Sequence, residues 1–394
     1  MPNLQKNKHH TSVDRREFLM HASIGVAAIG LAAATTTVAN QANRDGLGGQ
    51  TPATASFIPR GSIYIPARAW NAYQMWQYYD SKIIRRDIGY AQSLRLNALR
   101  VWLSYEFWLT DHAAFQQRFD HFLHSCSTAG ITVMPVLFEG DGVEPTPTHI
   151  ADTHPMTASD LLSPSSHVVT NRRLWHRPME YLDWFMEHFR DDRRLLAIEV
   201  QNEPWGAPRH HFAEAMVRHA AKQRGTVPLS IGGANLKQSM AFMKAGADIL
   251  QTHPDFPPSS TAVSRDLHDI LRAQRSLKKP VWMTEWQRIR TDGSGWGNRR
   301  LTGTEWEPDY ASMAPLIRAR PVGNFFWSLM LKPAWLLAQR RKGTLNGVFH
   351  EDGAVWSLTD ARSISGNIHF QAVQRKVWPR WAKMIPESIG LKIR

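Results

Sequence analysis

From residue 61 onward, short apolar runs alternate with amphipathic stretches. Residues 62–66, 96–103, 131–138, 195–202, 229–232, 249–252, 280–284 and 324–329 read as strands. Between them, residues 82–93, 112–129, 171–190, 210–223, 236–245, 262–277 and 307–320 carry helical spacing, and 367–383 would supply a closing helix. Residues 139–172 are turn-rich and predict no regular element. Strands alternating with helices imply parallel pairing through crossovers. Eight such units predict an α/β fold, a single (β/α)8 TIM barrel over residues 57–394. The competing open, doubly wound sheet places a glycine-rich phosphate loop after its first strand. Here that strand runs into Ala67-Arg-Ala-Trp-Asn-Ala-Tyr73, which has no glycine.

The first forty residues follow a different logic. Arg15 and Arg16 precede Phe18 and Leu19, and a mildly apolar run spans 24–34. This pattern resembles a bacterial twin-arginine export signal. It implies a periplasmic or extracellular protein that meets the twin-arginine translocase, with cleavage after Ala39 or Ala42. The run is rich in Ala and Gly and shorter than the roughly 20 apolar residues of a stable span, so no membrane span is expected. Residues 41–56 are polar and predict a disordered lead-in. The single cysteine, Cys126, rules out an intrachain disulfide, consistent with folding before export.

Charge and aromatic content narrow the partners. The net charge of +13 fits an anionic partner or simply a basic surface. The basic residues are scattered, with short clusters at Arg85-Arg86, Arg299-Arg300 and Arg340-Arg341-Lys342. No basic helix or base-reading motif accompanies them, so nucleic acid is not expected as a partner. Sixteen Trp residues are an unusual number: Trp is costly to bury fully, and its flat face stacks well on ligands.

In such a barrel the active site lies at the carboxyl ends of the strands. The fourth strand ends in Asn202-Glu203-Pro204, and the seventh in Thr284-Glu285-Trp286. The second strand carries Arg100, the sixth ends at His253, and the eighth carries Trp327. Two carboxyl groups facing each other are what glycosidic bond cleavage needs. One protonates the leaving oxygen, and the other attacks carbon or activates water. Carboxyls about 5 Å apart predict retention, and a gap well above 6 Å predicts inversion.

In that strand order, Arg100, Asn202-Glu203-Pro204, His253, Glu285 and Trp327 resemble the clan of retaining barrel glycosidases, most closely the cellulase-type family 5. The resemblance spans roughly residues 61–360. It implies Glu203 as acid and then base, and Glu285 as nucleophile, kept ionised with the help of Arg100. Asn202 would bond the sugar 2-hydroxyl, and Trp327 would floor the cleavage point. His253, Trp70 and Trp286 join the expected substrate-binding set. The family commonly has a Tyr at the second position after that His, where this chain has Asp255.

A polysaccharide or oligosaccharide of the β-glucan or mannan type is the expected substrate, with no cofactor and no metal. Glu199 is expected inside the barrel as a partner group, on one face with Gln201 and Glu203 by strand alternation. Glu139 and Asp141 are candidates for sugar hydroxyls or plain loop charges. Asn71, Trp102, Trp205, Trp296 and Trp335 also fall near strand ends. The loops 139–172 and 287–305 would shape the groove. The alternative reading is a barrel that binds carbohydrate without cleaving it. A metal-dependent hydrolase is disfavoured, because the first strand lacks His ligands and the pair His210-His211 falls on a helix.

Overall fold

The computed structural model describes residues 57–291 and 301–390. The expected export signal and lead-in over residues 1–56, Trp296 and the Arg299-Arg300 pair lie outside the described residues. Eight strands form one sheet: β1 (Arg60–Ile63), β2 (Ala98–Trp102), β3 (Thr132–Glu139), β4 (Ile198–Asn202), β5 (Leu229–Gly232), β6 (Leu250–Thr252), β7 (Val281–Trp286) and β8 (Asn324–Phe326). They follow the order β5-β4-β3-β2-β1-β8-β7-β6, with every ladder parallel. A parallel bridge between Ser230 and Ile249 joins the two end strands and closes the barrel.

The strands are buried along almost their whole length, because one face lines the barrel and the other meets a helix. The outer layer is α1 (Ser81–Ser93), α2 (His112–Thr128), α3 (His176–Phe189), α4 (Gly206–Lys222), α5 (Leu236–Ala241), α6 (Ser260–Leu277), α7 (Ala314–Arg318) and α8 (Leu358–Ser365). Their entries are set by side chains that accept the first orphan N–H groups: Asp80 before α1, Asp111 before α2, Ser259 before α6 and Ser357 before α8. Toward the amino ends of the strands, Ala98, Met134, Ala197, Ile249, Trp282 and Phe325 form an apolar plug of their own. Gly61 makes that plug possible, since a Cβ there would sit 2.4 Å from the Phe325 ring.

Several expectations are corrected. The closing helix is α8, capped by Gly366 at φ +61°, and not residues 367–383, which contribute only a short turn at Arg380–Ala382. Strand eight stops at Phe326, and residues 327–357 form an insertion holding β9 (Lys332–Pro333) paired with β10 (Leu345–Asn346). The connection 139–172 is ordered: Thr146 caps a helix at Pro147–Ala151, and Ser165 caps another at Ser166–Thr170. Bridges Glu139–Ser163 and Val143–Leu161 tie it down. Short polar segments of this kind are held by tertiary contacts and leave no periodic trace.

Candidate active site

Above the plug the barrel interior turns polar. The Arg100 guanidinium reaches up from β2 and donates to both oxygens of Glu199, at 2.7 and 2.6 Å. It also donates to Glu285 Oε1 at 2.8 Å and to Asn202 Oδ1 at 2.8 Å. All its charge-bearing contacts are buried, and its face lies 4.5 Å from the Trp102 ring. Glu199 is thus a barrel-interior partner, as its position suggested.

Strict alternation would set Glu199, Gln201 and Glu203 on one face and Asn202 on the other. The structure differs: the ladder to β5 shifts register between Glu199 and Asn202, so both side chains meet Arg100. A second shift, between Met283 and Trp286, lies at the end of β7. Irregularities of this kind re-aim side chains at barrel rims. There Thr284 and Glu285 both face the site, as their bonds to His253 and Arg100 record. Close backbone approach supports this end of the barrel. A Cβ on Gly140 would sit 2.0 Å from the Glu203 carbonyl, and one on Gly232 2.3 Å from a Glu199 oxygen. Glu203 itself holds φ +33°, a strained value for a residue with a side chain.

Glu203 is held from two sides. Trp205 Nε1 donates to Oε2 at 3.1 Å, and His253 Nδ1 lies 2.8 Å from Oε1. Behind His253 runs a chain with a definite direction. The Thr284 hydroxyl donates to Gln251 Oε1, and Gln251 Nε2 donates to the Ser230 hydroxyl, which donates to the Ile249 carbonyl. Thr284 therefore accepts from His253, 2.9 Å away, and the proton of that ring sits on Nε2. Two species can then join Nδ1 to Glu203: a protonated Glu203 that donates, or a cationic imidazole that donates. Both place one proton between His253 and Glu203, the supply on which a general acid draws.

Glu285 has a different environment. Burial pushes its carboxyl up to about 7, opposed by the charges of His253 and Arg100 and reinforced by Asp255 and Glu203. One ligand atom each from Glu203, His253 and Glu285 lie within 4.8 Å of one another. Two carboxyls this close titrate as a pair. The direct Arg100 bond favours the charge on Glu285, while the shared proton stays on the Glu203 side. Among the described residues, Glu285 Oε2 takes no hydrogen bond.

The same trio is the one cluster of His and carboxylate ligand atoms among the described residues compact enough for a metal. Its donor set suits a cation poorly. Both His253 nitrogens are already engaged, and the Arg100 charge lies against Glu285.

The remaining expected residues divide. Asn202 Nδ2 donates to both oxygens of Glu139 at 3.1 Å, so its amide is fixed at the floor of the site. Glu139 also accepts from Trp102 Nε1 and from the Asp141 N–H, and its burial holds its carboxyl well above the usual range. Trp327 is half-buried, with Trp102 5.6 Å and Trp335 5.4 Å away. Tyr310 pins its backbone, donating to the Trp327 carbonyl and accepting from Ser328 N at 2.9 Å.

Two of the expected sugar-contacting rings lie elsewhere. Trp286 turns outward past the β7 register shift, meets Tyr310 edge-on and donates to Asn324 Oδ1 at 3.2 Å. Trp70 is enclosed beneath Arg340, whose guanidinium lies 4.0 Å from its ring, and beside Trp381. Asn71 caps the helix that follows.

Sequence reasoning missed Asp160 and Lys332. Both are buried; the Asp160 charge acts on Lys332, and that of Glu285 acts on Asp160. Burial lowers the Lys332 ammonium to about 7. The insertion after β8 supplies Lys332, and its sequence carries no signal of where it folds back.

A family model described as the ubiquitinol-cytochrome C reductase Fe-S subunit TAT signal matches residues 5–45. It covers only this N-terminal stretch and says nothing about the barrel. No curated protein matches the chain significantly. Among solved structures, the exo-β-1,4-mannosidase Op5Man5 from Opitutaceae bacterium strain TAV5 is similar, with TM-score 0.57 and 17% identity over 79% of this chain and 58% of that one. The chain thus spans under two thirds of that mannosidase. GH5_18 from Streptomyces cattleya, solved with GlcNAc, gives 0.55 and 13% over 81% and 83%. An endo-1,4-β-D-mannanase from Thermotoga petrophila RKU-1 gives 0.52 and 12% over 79% and 99%. At such identities the likeness is one of fold, and the fold is the TIM barrel.

Proposed function

We propose that the protein is an exported glycoside hydrolase that cleaves a β-linked glycan with retention of configuration. The observation that carries this reading is the facing pair Glu203 and Glu285, with carboxylate oxygens within 4.8 Å across the mouth of the barrel. That gap suits the roughly 5 Å of a retaining pair better than the wider gap of an inverting one. Glu285 Oε2 attacks the anomeric carbon while the shared proton at Glu203 passes to the leaving oxygen. With the charge of Glu285 spent in the glycosyl ester, Glu203 is left as a carboxylate. It then takes a proton from water, and the attack of that water breaks the ester and restores both groups. Arg100 holds Glu285 in line, and His253 with Trp205 orients Glu203. In this reading Asn202 bonds the 2-hydroxyl and Trp327 stacks beneath the ring.

The similar β-1,4-mannosidase and endo-1,4-β-mannanase structures favour a β-1,4-linked mannan-type chain as substrate. Reducing-sugar release should be measured on mannans, β-glucans and xylans, with Glu285→Gln as control. Release that vanishes in the variant supports the hydrolase. Binding without release from any folded preparation returns the barrel to the carbohydrate-binding alternative.

Export by the twin-arginine route is supported by Arg15, Arg16 and the match over residues 5–45. Residues 1–45 fused to a folded fluorescent reporter should carry it across the inner membrane. Replacing Arg15 and Arg16 with Lys should stop the transfer, and unaffected transfer would sink this route.

A further inference from the structure

Beyond the carboxyl end of β1 lies a concavity of about 680 Å³, within the size range of ligand clefts, roughly 300–1,000 Å³. Arg68 enters it from the segment after β1, His350 to Asp352 from the insertion after β8, and Arg375 to Lys383 from the tail. Its two acids are already committed: Glu351 pairs with Arg68 at 3.0 Å, and Asp352 with Arg375. Arg380 and Lys383 are exposed on the rim and make no ion pair among the described residues. The cleft therefore carries uncompensated positive charge on a concave wall, a geometry that concentrates anions.

Its other wall carries the half-buried Trp381, with Trp378 buried behind it, and neither buried indole N–H has an acceptor among the described residues. Trp381 meets Trp70 edge-on, with centroids 5.7 Å apart. The Trp70 carbonyl accepts from Trp335, whose ring lies 5.4 Å from Trp327. The cleft thus abuts the Trp327 side of the barrel through buried packing, with Lys332 and Arg340 standing over Trp70 in that interior layer. Flat rings suit sugar faces, and guanidinium forks suit carboxylate or sulfate oxygens.

We propose that this cleft binds an anionic sugar unit, a uronate or a sulfate ester, of the same β-linked chain whose bond is cut between Glu203 and Glu285. The inference rests on the glycosidase reading and gives it a substrate class: an acidic or acid-decorated glycan. Neutral mannan would occupy the floor but leave the rim cations unused.

Binding to the full-length Glu285→Gln protein tests this without turnover, by calorimetry and by the emission of the cleft tryptophans. The probes are mannohexaose, a β-1,4-linked oligomannuronate of equal length and a sulfated mannohexaose; the tighter acidic probe names the anionic group. Acidic probes should bind roughly tenfold more tightly than the neutral one, and less so as salt rises. Arg380→Ala with Lys383→Ala should abolish that preference and leave mannohexaose affinity unchanged, while Arg380→Lys keeps part of it. Equal affinity for neutral and acidic chains overturns the proposal. So does equally tight binding of an oligonucleotide of matched charge, which would mark a general polyanion surface. Absence of turnover on every glycan would remove the hydrolase reading alone, since the acidic preference is read by binding.

Discussion

Inside the lower barrel, Ala98, Met134, Ala197, Ile249, Trp282 and Phe325 meet without a charge among them. A few residues further along the same strands, Arg100, Glu139, Glu199, Glu203, His253 and Glu285 are packed together, all buried. The lower end has regular ladders and apolar contacts. The upper end has two register shifts, a strained Glu203 and a carboxyl lifted to about 7. Stability and chemistry are therefore separated along the strand axis. Burying charge costs free energy unless each group is paired, and the plug offsets what the site consumes.

That separation can be broken or sharpened by substitution. Glu285→Gln should lower turnover by at least about 10³-fold with no loss of melting temperature, since it removes a nucleophile and a buried charge together. A variant that melts much earlier would show the glutamate to be part of the scaffold. Arg100→Met comes next. It leaves Glu199 and Glu285 buried without their cation, and urea unfolding should report a loss of roughly 3–5 kcal/mol. Stability that stays level there would mean the polar layer is not held by the guanidinium.

Phe325→Ala probes the other end. The cavity it opens should cost about 3–4 kcal/mol, while activity per folded molecule at low temperature stays near that of the parent. Lost activity at full stability would erase the distinction between the two ends.

The smallest effect is on pH. A folded-state carboxyl at about 7 against an ordinary 4.5 means that the unfolded chain releases its proton first as pH rises. The Glu285 contribution to stability should thus fall between those two values, and Glu285→Gln should flatten the slope of melting temperature against pH in that window. Turnover should run the other way, dropping below neutral pH as Glu285 becomes protonated. A profile flat from pH 5 to 8 would contradict the raised carboxyl.

Much of the upper end was legible beforehand. Apolar runs separated by amphipathic stretches carry the strand and helix periods in every few residues, so eight units and a barrel could be read without contacts. Glu203, Glu285 and Arg100 stood out because strand ends converge in any such barrel, whatever the loops do. Trp70 and Trp286 show the limit of that reasoning: nearness to a strand end does not say which way a ring turns.

What only the tertiary structure decided depends on pairs far apart in the chain. The register shifts on β4 and β7 brought Asn202 to Arg100 and turned Trp286 away, and an alternating pattern cannot announce where it slips. The proton between Glu203 and His253 follows from a chain through Thr284, Gln251 and Ser230, drawn from three strands. The basic cleft joins the segment after β1 to an insertion and tail nearly 300 residues later, each of which alone reads as scattered charge. Periodicity is a local property of the backbone and survives in the sequence; the meeting of distant side chains is set by packing, and exists only once the barrel has closed.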